Sequence, residues 1–60
     1  MNTIEQQVSN IMDTDFTNKT DNERKEAINI LAHYLNLILD TKDTELFDRI
    51  QLKAFNLMYK

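Results

Sequence analysis

The sequence predicts an all-α fold of three helices. Three observations carry that expectation: apolar residues recur at helical spacing in three separate runs, each run opens on a side chain suited to capping, and no strand-like alternation competes with the helical pattern. Glycine and proline are both absent, although average usage would supply roughly four and three of them in a chain of this length.

The first run places Ile4, Val8, Ile11 and Met12 on one helical face, and Thr3 with Gln6 forms a capping-box signature. A helix over about residues 4–13 follows. From Asp13 to Thr20 the chain is rich in Asp, Thr and Asn, whose side chains bond to nearby backbone and favour turns. Residues 14–20 therefore read as a linker, with Phe16 as its anchor to the core. A second capping box, Thr20 with Glu23, opens a breaker-free run to Asp40, which predicts a helix over 21–40. Thr41, Asp43 and Thr44 then offer caps for a third helix over 43–59, whose apolar residues return at Leu46, Phe47, Ile50, Ala54, Leu57 and Met58. The short connection between the last two helices makes them an antiparallel hairpin. Residues 1–60 form a single small domain on this reading, with no repeat or low-complexity tract.

Composition excludes several functions. Of 60 residues 42% are apolar, too many for a disordered polar segment. The formal charge of −3 is mild and has the wrong sign for general nucleic-acid binding. Without cysteine there is no disulfide frame, thiol chemistry or thiolate metal site, and one histidine cannot assemble a zinc site in one chain. The amino terminus carries Glu5 and no basic cluster, which reads as no signal peptide and a cytoplasmic address. The most apolar stretch, Ala27 to Leu39, is shorter than the roughly 20 residues of a membrane span and is interrupted by Asn29, His33 and Asn36.

The apolar faces are wider than a three-helix monomer needs. With residues set about 100° apart, Lys25, Glu26, Asn29, His33, Asn36 and Asp40 share one polar stripe of the second helix. The rest of its circumference carries two apolar seams: Ile28, Leu31, Leu35, Ile38, and beside it Ala27, Ile30, Tyr34, Leu37. The third helix can cover most of one seam, but a first helix about 15 Å long cannot cover the other along the roughly 30 Å of the second. The third helix repeats the surplus, because Leu52, Phe55 and Tyr59 form a stripe away from the Leu46, Ile50, Leu57 face. Full burial of such side chains is worth about 1.5–3 kcal/mol each, whereas a core of this size supplies about 3–5 kcal/mol altogether. Oligomerisation is the remaining way for so short a chain to complete its core, so a helical homodimer is expected, with Ile30, Tyr34 and Leu37 as its seam. A compact monomer, with Leu52, Phe55 and Tyr59 packed on the first helix or Phe16, is the competing arrangement, and docking of the free stripe onto another protein is a third.

No constellation of residues points to catalysis, a cofactor or a metal. Asp13, Asp15 and Asp21 fit three positions of a calcium loop, but Asn18 stands where the turn needs Gly and Arg24 where it needs Glu. His33 lies among Asn29, Asn36 and Asp40 on the polar stripe, with neither a nucleophile nor an orienting acceptor identifiable. Arg49, Lys53, Asn56 and Lys60 make a basic stripe on the third helix, and no acidic residue follows Asp48. Cations at a helix's negative end account for it, matched by Asp43, Glu45 and Asp48 at the start. In a helix-turn-helix those three carboxylates would face the bases, which disfavours DNA reading.

The opening Met-Asn-Thr-Ile-Glu-Gln-Gln-Val-Ser-Asn-Ile-Met resembles the first helix of acyl carrier proteins over a dozen residues. That family's Asp-Ser-Leu attachment site is missing here, so no carrier role passes to any residue and no family is assigned. The functional expectation is a small non-enzymatic protein acting by protein–protein contact, as a regulator, inhibitor or adaptor, and self-associating. Its contact residues are Leu52, Phe55 and Tyr59, flanked by Arg49 and Lys53, aromatic and Arg side chains being frequent carriers of interface energy. The alternative is a dimeric nucleic-acid binder using the basic stripe of the third helix. Brevity and the Asn, Lys, Asp and Thr bias would suit an accessory protein of a phage or mobile element.

Overall fold

The computed structural model describes residues 3–59, and among them the chain forms three α-helices and no strand: α1 Ile4–Asp13, α2 Asp21–Leu37 and α3 Thr44–Met58. α2 and α3 make the most extensive contact, a helical hairpin, and α1 packs mainly on α2. The linker spans residues 14–20.

Each helix begins where a side chain can satisfy its orphan amides. Thr3 Oγ1 accepts from the Gln6 amide at 3.1 Å, and Thr20 Oγ1 from the Glu23 amide at 3.2 Å. Asp43 Oδ1 accepts from the Leu46 amide at 3.0 Å, so Asp43 is the cap of α3 rather than its first residue. The Thr20 hydroxyl also donates to Glu23 Oε1 at 3.2 Å, joining the two side chains directly. The Thr3–Gln6 pair is half of a box, because the Gln6 side chain donates onward to Asn10 Oδ1 at 3.2 Å.

α2 stops at Leu37, three residues short of the Asp40 expected from the sequence. Its end is drawn in by the Ile38 amide, which donates to both Tyr34 O at 3.1 Å and Leu35 O at 3.3 Å. A further turn closes with the Thr41 amide on Ile38 O at 3.0 Å, and Thr41 Oγ1 then accepts from the Asp43 amide at 3.2 Å. Thr and Asp side chains that bond to local backbone compete with helix continuation, and here they win the last turn.

The core is formed by Val8 and Ile11 of α1, Ala27 and Leu31 of α2, and Ile50 and Leu57 of α3. Leu31 and Ile50 are the two large side chains with no solvent exposure. Ile28, Ile30, Tyr34, Leu35, Ile38, Ala54 and Phe16 are half-buried around them. The core face of α3 is narrower than its apolar pattern: Leu46 and Met58, expected inside, are exposed. The polar stripe of α2 from Lys25 to Asn36 is exposed throughout, and Asp40 lies in the turn beyond the helix.

Trimming Ile50 to Val should lower stability in urea denaturation by about 0.5–1.5 kcal/mol, and Leu31→Ala by about 2–5 kcal/mol, which approaches the whole stability of so small a core. Circular dichroism reads both; a Leu31→Ala chain as stable as the parent would contradict this placement of the core.

Candidate functional site: an uncovered strip on α3

Ile50 and Leu57 fix the inward face of α3, and helical geometry then sets Leu52, Phe55 and Tyr59 within about 60° of one another on the opposite side. Leu52 is 61% exposed, Phe55 46% and Tyr59 71%. The linker comes near this strip at its end, where Tyr59 shares a cavity with Asp15, Phe16 and Thr17. Tyr59 follows the last residue of α3, and its amide still donates to Phe55 O at 2.9 Å. This holds its ring against Phe55, with centroids 6.4 Å apart and planes inclined by 28°. Offset pairs at this separation act as one pre-organised apolar surface. Met58 is also exposed and widens the apolar end of the helix.

The seam of α2 is divided. Ile30 and Tyr34 are half-buried against the chain's own core, and only Leu37, 56% exposed, stays largely in solvent. Tyr34 lines a groove of about 280 Å³ between the helices, together with Val8, Met12 and Ile50. α1, though short, therefore covers more of this seam than length alone suggests. Leu37 and Leu39 lie exposed at the hairpin turn, at the other end of the molecule from Tyr59.

The basic stripe is also divided. Arg49 is exposed and pairs along its own helix with Glu45 at 2.9 Å. Lys53 is half-buried: its Nζ donates to Thr14 O at 2.9 Å and stands 5.5 Å from the centre of the Phe16 ring. Lys60 lies outside the described residues. Lys53 thus anchors the linker to α3, one backbone carbonyl and one aromatic face satisfying a partly desolvated ammonium. Arg24 does the same from α2, donating to Lys19 O at 2.8 Å and Phe16 O at 3.5 Å while pairing with Asp21. Sequence spacing places Lys53 in the basic stripe and at the flank of the contact residues, and gives Arg24 no role beyond spoiling a calcium loop. The signal that both hold the linker was its shortage of apolar anchors, Phe16 being the one large apolar residue within 14–20.

Between these groups lies a cavity of about 370 Å³ lined by Asp15, Phe16, Thr17, Arg24, Lys53, Asn56, Leu57 and Tyr59. Its two cations already hold linker carbonyls. Asp15 Oδ1 accepts from the Thr17 hydroxyl at 2.5 Å and the Thr17 amide at 3.0 Å. These bonds hold its carboxyl below the ordinary 3.8, with Lys53 adding a smaller pull in the same direction. Asp15 is therefore committed to a turn. Among the described residues no three His, Asp or Glu side chains are placed to share a metal ion. His33 is exposed on α2, away from this cavity.

A folded pKa below the ordinary value means that Asp15 supports the fold above that value and ceases to as pH falls through the folded pKa. Thr17→Val removes the stronger of its bonds and should move the Asp15 carboxyl up toward 3.8 in an NMR titration. An unchanged midpoint would show that the hydroxyl is not its principal partner.

No protein-family model matches the chain, and no curated protein or solved structure was found to be similar to it, so the strip on α3 has to be interpreted from its own chemistry.

Proposed function

We propose that this chain is a small non-enzymatic helical protein that acts in the cytoplasm by protein–protein contact, as a regulator, inhibitor or adaptor, and that it self-associates. The observation that carries the reading is the outward strip Leu52, Phe55, Tyr59 on a helix whose opposite face is already buried. These side chains lie outside the buried core, and their exposed parts forgo a share of the about 1.5–3 kcal/mol that full burial is worth for each. Aromatic anchors pre-stacked on one another, as Phe55 and Tyr59 are, lose little freedom when a partner covers them. Arg49 at the edge supplies a charged rim of the type that surrounds apolar anchors.

The nucleic-acid alternative draws less support. Of the basic residues on α3 within the described range, Lys53 is committed to the linker, which leaves Arg49 alone, loosely paired with Glu45. The carboxylates Glu45 and Asp48 share the outward side with the apolar strip, where a phosphate backbone would meet them. Among the described residues no helix is long and apolar enough to cross a membrane.

Affinity capture with the parent chain and with Phe55→Asp tests the reading, each with and without nuclease. Contacts should weaken by roughly thirty-fold in the variant, the equivalent of about 2 kcal/mol for a lost aromatic anchor, and should survive nuclease and moderate salt. Contacts that persist in Phe55→Asp, or that vanish with nuclease and fall steeply with salt, would contradict it.

A further inference from the structure

The outward seam of α3 is Glu45, Asp48, Leu52, Phe55, Tyr59, with alternating spacings of three and four residues, the repeat of a helix that packs along another helix. Charge along this helix is segregated. Asp43, Glu45 and Asp48 occupy its first half, Arg49 and Lys53 follow, and no acidic residue occurs after Asp48. Resting on the contact reading above, we infer that the strip is covered by α3 of a second copy of this chain, antiparallel, with the two-fold axis passing beside Leu52.

Three arguments fix that occupant and its direction. First, the charge order suits helices that run oppositely, because the acidic half of each then faces the acid-free half of the other. A parallel pair sets Glu45 against Glu45 and Asp48 against Asp48 in the seam itself, where like charges are costly. Second, a two-fold axis beside Leu52 sets Leu52 against Leu52 and brings the Tyr59 hydroxyl level with Glu45 of the second copy, with Asp48 and Phe55 along one flank of the seam and Arg49 and Asn56 along the other.

Third, area calls for a long overlap. The exposed parts of Leu52, Phe55 and Tyr59 amount to only on the order of 350 Å² per chain, against about 800 Å² per partner in a standard interface. Overlap at the aromatic end alone is too small. Overlap along the whole of the 15-residue α3, about 22 Å, brings in Glu45, Asp48, Arg49 and Asn56 as well. The Arg49–Glu45 ion pair is exposed on both sides and holds Arg49 only weakly, so Arg49 can turn to a new partner at little cost.

The chain contains no cysteine, so single cysteines report the geometry directly. Leu52→Cys should form a disulfide-linked dimer on mild oxidation, faster than a control cysteine at Asn29 on the exposed stripe of α2. Tyr59→Cys alone should not, because the two copies of residue 59 are about 21 Å apart along the axis. An equimolar mixture of Glu45→Cys and Tyr59→Cys should give the mixed dimer. Sedimentation of the unmodified chain should show a mass that rises from one copy to two with concentration. Self-linking of Tyr59→Cys would overturn the antiparallel arrangement. A single-copy mass throughout, with Leu52→Cys no faster than the control, would overturn the second copy. If Phe55→Asp nevertheless abolishes contact with another protein in that case, the contact reading stands without this inference; if Phe55→Asp is also silent there, both fall.

Discussion

The structure depends on the seam where α2 meets α3, with Leu31 and Ile50 wholly withdrawn from water at its centre. Everything else is arranged around the need to keep that seam dry with very few residues. A helix buries one stripe well, so once Ile50 and Leu57 face inward, the residues half a turn away are committed to the outside. α3 carries large apolar side chains there as well. That conflict between one core and two apolar faces is what the proposed function rests on.

α1 and the linker are the chain's own cover, and the manner of their attachment explains how far they extend. Val8 and Ile11 supply the apolar contact of α1. The linker has one large apolar anchor, Phe16, and is otherwise held by cations reaching from the hairpin, Lys53 from α3 and Arg24 from α2. A peptide segment rich in Thr and Asp can be fixed in this way because its carbonyls are good acceptors and its side chains close its turns, as Asp15 does with Thr17. The same commitment removes Lys53 and Arg24 from the pool of free positive charge. What remains on the outward side of α3 is an apolar strip continued by Glu45 and Asp48 and edged by Arg49, a composition suited to another protein surface.

The helices were legible because their signals are local: capping side chains at Thr3, Thr20 and Asp43 and apolar spacing in between. The end of α2 was not, since no glycine or proline marks it and the competition is decided by Thr41 and Asp43 in the following turn. Periodicity also showed that both α2 and α3 carry more apolar surface than one partner covers. It did not show how the surplus is distributed. Tyr34 and Ile30 are drawn against the core by the packing of α1, a tertiary matter, which leaves Leu37 at the end of that seam. The position of Lys53 was visible, but not its bond to Thr14 O, which joins residues far apart in the chain.

The proposed association of copies through α3 would make stability depend on concentration, because a partner that binds only the folded chain adds to its stability by mass action. The most direct measurement is the thermal unfolding midpoint across a thousand-fold range of protein concentration. The midpoint should climb with concentration in the parent chain and stay level in Phe55→Asp. A parent midpoint that stays level across the whole range would contradict it.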